Sequence, residues 1–342
     1  MSRNLALATA TLGLVASLAL AHQADAANVY LSGATAPTGG LWVPDGALPT
    51  GGRLWVADHT FGFCPVQPTT ATNSSAAFIG SPLAPTGCIL AGGQPAMDSA
   101  TLTAFLPDDS SKSVGIIRVQ YRTNTKLFTG SRRTLNGNVA NRRCKSGNLA
   151  GCRPIAAALD PGGDLYIITQ RAGGEIYRIR NALTNSPSAV QLVASTSDGG
   201  GAQSLAFVGS DLYIAEATGV TMIQDPSNRV PANIDGEGLC TPNNSCLASD
   251  VGLGFLPLAV SSDGTNLFIS DLQSLDTVNI YNPDPVNGGF ALVPGFFAGV
   301  SGFAAAPATV SNGPRLYFAA DPSGGAAVGL ANWYYQEPVP LP

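Results

Sequence analysis

The chain has 342 residues and a formal net charge of −5, and only 11% of its residues are charged. Glycine (40) and proline (25) are plentiful. A charge-poor, slightly acidic, turn-rich chain of this kind is no general nucleic-acid binder and lacks the make-up of a helical bundle; it points to many short strands.

In chain order, the first element is a predicted signal peptide over residues 1–26. Arg3 supplies the positive start, residues 5–21 are apolar and small, and Ala24-Asp25-Ala26 forms a small-x-small cleavage site. The apolar core is short and no basic stop follows it, which argues against a membrane anchor. Residues 27–342 are therefore expected to be a single domain, secreted or periplasmic, with no transmembrane anchor after signal removal.

Next comes ANVYLSG (27–33), a predicted strand placed to complete the last unit of the fold. Then one phrase returns along the chain: GGRLWVADHTFGFCPV (51–66), a weaker TAFLPDDSSKSVGIIRVQY (103–121), GGDLYIITQRAGGEIYRIR (162–180), GSDLYIAEATGVTMIQD (209–225), GTNLFISDLQSLDTVNIYNPD (264–284) and GPRLYFAADPSGGAAVGLANWYY (313–335). Each full copy has a glycine turn, a Leu-aromatic-aliphatic strand, a polar or acidic residue, a gap and a second strand. The leading Leu54, Leu165, Leu212, Leu267 and Leu316 lie 111, 47, 55 and 49 residues apart, and the weaker copy splits the first gap. PIAAALD (154–160), SLAFV (204–208) and LPLAVSS (256–262) precede three copies as predicted inner strands.

Repeats of about 50 residues that cannot bury both faces alone must stack on their neighbours. The expected fold is all-β, a six-bladed β-propeller with four-stranded blades. A β-sandwich is the alternative, but it has no reason to repeat one phrase at this period.

Six cysteines follow the signal peptide: Cys64, Cys88, Cys144, Cys152, Cys240 and Cys246. In an oxidising compartment an even count reads as disulfides. Of 15 possible pairings the local one is expected, Cys64–Cys88, Cys144–Cys152 and Cys240–Cys246. No CxxC or CxxCH occurs, which speaks against haem and zinc, and no nucleotide-binding motif is present.

Charge is segregated. Residues 112–153 carry Lys112, Arg118, Arg122, Lys126, Arg132, Arg133, Arg142, Arg143, Lys145 and Arg153 with no Asp or Glu, so +10 sits in 42 residues and −15 in the rest. This reads as a basic insertion between the second and third units, tied by Cys144 and Cys152. Such a lobe attracts anions at contact. An anionic glycan, a lipid headgroup or an acidic protein face would suit Arg132, Arg133, Arg142, Arg143 and Lys145; sparse aromatics make nucleic acid a poor fit.

The phrases LYIAE, LFISD and LWVAD after a glycine turn resemble the NHL-repeat and gluconolactonase (strictosidine-synthase-like) six-bladed propellers. SSDGTNLFISDLQSLDTVNIYNPD (261–284) is most similar to the gluconolactonase pattern, in which the phrase ends on a metal-binding aspartate. The resemblance implies that Asp271 is that aspartate and a general acid/base. The same slot holds Asp58, approximately Asp108, Thr169, Glu216 and Ala320. A ring of carboxylates from Asp58, Glu216 and Asp271 would suit Ca²⁺, which takes six to eight oxygens. A metal-dependent lactonase or esterase is thus one expectation.

The departures are equally plain. The family pattern also has a glutamate early in the first blade, whereas the first glutamate here is Glu175. An acidic residue at a strand end also caps the following turn by accepting backbone N–H groups. His59, beside Asp58, has no GxSxG serine to serve. The favoured functional expectation is accordingly a binding or scaffold propeller for a macromolecular or polyanionic partner.

Overall fold

A computed structural model describes residues 29–32, 37–48, 52–66, 74–77, 79–81, 84–108, 115–134, 154–169, 174–185, 190–195, 202–216, 219–228, 232–233, 245–246, 257–262, 264–271, 277–283, 289–294, 300–306, 315–320 and 332–335. Among these residues the structure is all-β. There is no α-helix, one 3-10 turn at Pro226–Asn228, and no helix long and apolar enough to cross a membrane.

Six sheets of three or more strands follow one another along the described chain. The first holds Pro37–Pro44, Gly52–Asp58 and Gly62–Pro65; the second Ala96–Asp98, Thr103–Asp108, Gly115–Arg122 and Leu127–Thr134. The third holds Pro154–Leu159, Leu165–Thr169, Glu175–Ile179 and Val190–Ser195, with a parallel two-residue strand Ala232–Asn233 at its edge. The fourth holds Ser204–Val208, Asp211–Glu216, Gly219–Ile223 and Ser245–Cys246. The fifth holds Pro257–Ser262, Leu267–Asp271, Thr277–Asn282 and Gly289–Pro294; the sixth Val300–Ala306, Arg315–Ala320 and Asn332–Tyr335. Four strands per sheet is therefore not uniform: the first and sixth have three among the described residues, and the third has five. In the first sheet a single bridge, Phe63 to Ile89, stands where a fourth strand would run.

Within a sheet the consecutive strands are antiparallel neighbours, because short glycine turns join them. The turn glycines Gly163, Gly209 and Gly264 have φ of 84°, 58° and 95°, as the sequence phrase requires. The strands beginning at those phrases are buried on both faces: Leu165–Thr169 is buried throughout, as is Gly52–Asp58. A strand covered on both sides reads as a continuous apolar run, which is what LWVA, LYII and LFIS are.

Neighbouring sheets share apolar layers. Val43, Trp55, Ala57 and Phe63 of the first pack with Ala104, Leu106, Ile117, Val119 and Phe128 of the second. Further layers join second to third through Phe105, Ile116, Ile167 and Tyr177, third to fourth through Tyr166, Ile168, Leu205 and Ile214, and fourth to fifth through Tyr213, Val220, Val260 and Ile269. Strand Val300–Ala306 lies beside Pro257–Ser262 on one side and beside Pro37–Pro44 on the other. The sixth sheet thus bridges the fifth and the first.

Two expectations change. Val29–Ser32 lies next to Asn332–Tyr335, but it pairs in parallel with Ser74–Ala77, inside the long loop between Cys64 and Cys88. Part of the basic stretch is not an insertion: Gly115–Arg122 is the second strand expected of the weaker copy, and Leu127–Thr134, where the sequence predicts no strand, follows it as the fourth strand of the second sheet. From Val119 to Arg122 buried and exposed residues alternate, so the strand keeps its apolar face inward and its polar face outward.

Candidate functional site

The residues singled out by the repeat occupy equivalent places. Asp58, Asp108, Thr169, Glu216, Asp271 and Ala320 are each the last residue of the second strand of their sheet. Asp58, Thr169, Asp271 and Ala320 stand directly opposite the first residue of the inner strand, namely Pro37, Pro154, Pro257 and Val300. The slot is therefore one end of each sheet, the end where the inner strand enters.

That end is built in a repeated way. In the first, third, fifth and sixth sheets the inner strand slips register just after its first residue. Three of these strands start with proline, which has no N–H to give to a ladder and so suits a strand's first position. A bulge there bends the strand and re-aims its first side chains. The sequence carries this signal in Pro37, Pro154 and Pro257, but the repeat phrase, anchored on the second strand, does not include it.

The carboxylates at this end are buried, and their bonding differs. Asp58 is fully buried; its Oδ1 accepts the backbone N–H groups of Thr60 at 2.7 Å and Phe61 at 3.2 Å. That is the turn-capping role. Glu216 is buried, and its Oε2 accepts the Thr221 hydroxyl at 3.3 Å from the next strand. Asp108 is buried as well. Glu175, opposite Thr169, accepts the Tyr177 hydroxyl. Asp271 is placed by its backbone alone. His59 is exposed on the turn that Asp58 caps.

The described carboxylates Asp58, Asp108 and Glu216 do not by themselves make a calcium site, and the Asp271 side chain lies outside the described residues. Ca²⁺ needs six to eight oxygens converging at about 2.3–2.6 Å. Asp58 has one oxygen committed to two amides, and among the described residues no three His, Cys, Asp or Glu side chains come together as a metal-holding group.

Sequence reasoning missed the residue that does converge on this end. Gln94, just before the second sheet's inner strand, has partners in three other sheets. Its Nε2 donates to the carbonyls of Leu205 at 3.0 Å and Val260 at 3.4 Å, and its Oε1 accepts the Ser204 hydroxyl at 2.5 Å. Its backbone bonds Ile155 and Ala157. No sequence signal could have found it, since its acceptors are main-chain carbonyls more than 100 residues away.

At the opposite end of the third sheet lies a second polar cluster. Arg178 donates to Asp164, Nε at 2.8 Å, and to the Ser227 carbonyl of the fourth sheet's final turn. Asp160 accepts the Asp164 N–H at 2.9 Å. Burial pushes the Asp160 carboxyl above the usual carboxylate range, with the Asp164 charge adding to it and its backbone hydrogen bonds opposing. Burial and a hydrogen bond to Asp45 likewise raise Tyr121, whose hydroxyl donates to Asp45 Oδ2 at 2.8 Å between the first two sheets.

Of the basic residues, Arg118 donates to the carbonyls of Leu183 and Thr184 in the third sheet, so its charge serves the join between sheets. Arg122 is exposed, and Arg133 stands opposite Arg118 across the outer two strands. Arg142, Arg143 and Lys145 lie outside the described residues. Cys64 and Cys88 form a disulfide, as expected. The pairs Cys144–Cys152 and Cys240–Cys246 and the signal peptide also lie outside the described residues, apart from Cys246 in its short strand.

No protein-family model matches the chain, and no curated protein does. Solved structures do match. A gluconolactonase of Xanthomonas campestris aligns at TM-score 0.55 and 16% identity, over 92% of this chain and 91% of that one. The calcium structure of a Trichoderma reesei carbohydrate-active enzyme of family AA12 aligns at 0.51 and 13%, over 92% and 96%. At such identities the likeness is one of fold. The chain has a β-propeller fold, and in fold it is similar to these two proteins.

Proposed function

We propose that this protein is an exported six-bladed propeller that works by binding, and that an anionic macromolecule meets its basic stretch. Six successive sheets, with the sixth lying against the first, support the count of six. The observation that carries the binding reading is that the acid-free stretch includes the outer two strands of one sheet. Arg122, Lys126, Arg132 and Arg133 fall within residues 115–134, beside Arg118, which serves the join to the third sheet. Basic residues carried on paired strands need less ordering of the backbone on binding than residues on a free loop, which lowers the entropy lost. The test is retention of the mature protein on a sulfated-glycan resin. Replacing Arg132, Arg133, Arg142 and Arg143 together by Ala should lower the salt needed for elution, and unchanged elution would remove the polyanion.

A second reading is favoured by the buried carboxylates Asp58, Asp108 and Glu216 in equivalent slots, and by the likeness to a gluconolactonase and to a protein solved with calcium. In it Asp58, Glu216 and Asp271 hold Ca²⁺ and act on a lactone or ester. The ion would polarise the carbonyl. Because the described donors do not by themselves make a calcium site, no reaction step is built on it. Elemental analysis of protein purified without chelator, with a panel of lactones and aryl esters, decides: bound divalent metal with turnover would replace the binding reading.

A further inference from the structure

We infer that Gly92-Gly93-Gln94 is a cross-axis tie that fixes five sheets in one angular arrangement, with the Gln94 amide as its far end. The three residues reach the sheets in turn. The Thr38 hydroxyl of the first sheet donates to the Gly92 carbonyl, and Gly39 packs against Gln94. Gly93 N–H donates to Pro107 of the second sheet at 3.1 Å. Gln94 N–H donates to Ile155 at 2.8 Å, and Ala157 N–H donates back to Gln94 at 3.0 Å, pairing it with the third sheet. The side chain then crosses to Ser204 and Leu205 of the fourth sheet and Val260 of the fifth.

The chemistry requires these residue types. A Cβ on Gly93 would stand 2.6 Å from the Ile155 carbonyl oxygen and 2.7 Å from Pro107 Cβ, so the backbone approaches as closely as glycine allows. The far end needs one group that both donates twice and accepts, because two carbonyls and one hydroxyl face it. A carboxamide has that inventory. A carboxylate has acceptors alone and would face two carbonyl oxygens. The Ser204 hydroxyl completes the clamp by accepting Val260 N–H at 2.9 Å, so the fourth and fifth sheets are joined to each other as well as to Gln94.

This arrangement differs from the apolar layers. Each layer joins adjacent sheets through burial, which is non-directional. Hydrogen bonds are directional, so the tie sets the angle between sheets whose residues are 111 and 166 positions away in sequence. Gln94 is a positioning residue in this sense.

Hydrogen exchange on the full-length protein tests the tie. Gln94→Met keeps the length of the side chain and removes the amide; Gln94→Glu keeps the shape and restores a donor when protonated. For Gln94→Met, exchange in peptides covering 204–208 and 257–262 should speed up about tenfold or more, with residues 115–122 unchanged. For Gln94→Glu, protection in the same peptides, taken relative to the parent at the same pH, should lie nearer the parent at pH 4, where the acid supplies one of the two donors, than at pH 9, where it is ionised. Faster exchange confined to residues 91–98 in both variants would overturn the tie. So would a Gln94→Glu protection, relative to the parent, that is equal at pH 4 and pH 9.

Discussion

The layer between the first two sheets and the axial end of the inner strands are held by opposite means. In the layer the side chains are large and aromatic: Trp55 stacks on Phe63 at 5.2 Å and meets Phe128 edge-on at 4.8 Å, and Tyr121 meets Phe128 at 5.4 Å. At the axial end the inner strands carry small residues such as Ala156, Ala157 and Ala206, and Gln94 reaches Ser204 there through a polar contact. The contrast teaches that area does the holding where sheets meet face to face, whereas direction matters where strands converge with little room for side chains.

The largest expected effect tests the area side of that contrast. Trp55 is fully buried, and Trp55→Ala should cost about 3–5 kcal/mol, the usual range for losing a large aromatic from a packed core. Leu90 is 67% exposed, and Leu90→Ala should stay within about 0.5 kcal/mol. Denaturant midpoints of the two variants measure both. Equal losses would mean that the layer does not dominate stability.

The disulfide comes next. Cys64–Cys88 closes a loop of sequence separation 24 beside the same layer, where Phe63 and Ile89 exchange two backbone hydrogen bonds at 2.7 and 3.0 Å. Replacing both cysteines by Ser should cost about 2–4 kcal/mol, chiefly through the unfolded chain. The measurement is the shift in denaturant midpoint between parent and variant under non-reducing conditions.

How much of this was legible in sequence follows the same division. The apolar second strands announce themselves: Leu54, Leu165, Leu212 and Leu267 are all buried, and the strand ends fall at the expected acidic slot. Burial leaves a pattern in the local sequence, so repeats can be aligned by eye. The polar contacts leave none. The carbonyls that Gln94 and Arg118 bond belong to Leu205, Val260, Leu183 and Thr184, whose side chains say nothing about it. The basic stretch shows both sides of this: the weaker copy over 103–121 already contains the buried Ile116, Ile117, Val119 and Tyr121, whereas Leu127–Thr134, outside any copy of the phrase, is a strand that reads in sequence as part of an insertion.

Asp58 offers a smaller effect that also separates the two functional readings. As a turn cap its carboxylate satisfies Thr60 and Phe61 N–H groups, so Asp58→Ala should cost about 1–3 kcal/mol, the range for leaving a buried donor without its acceptor. Asp58→Asn, which still accepts, should recover most of that. A cap predicts lower stability with unchanged metal content. Loss of a bound divalent ion in Asp58→Asn, with stability kept, would instead assign the residue to the ion.

The smallest effect concerns pH and the far end of the third sheet. Burial raises the Asp160 carboxyl in the folded protein above its ordinary value of about 4. An acid of this kind holds its proton in the folded state after the unfolded state has released it. The folded state then binds more protons across that window, and stability from this group falls as pH rises from about 4 through the raised value. Asp160→Asn cannot ionise and still accepts the Asp164 N–H, so the variant should lack this fall. Relative to the parent it should gain stability as pH climbs from 4 towards neutrality, read from denaturant midpoints at several pH values. Parallel curves for parent and variant would mean that water reaches Asp160 well enough to cancel the cost of its burial, and that this end of the sheet is as open as the turn carrying it.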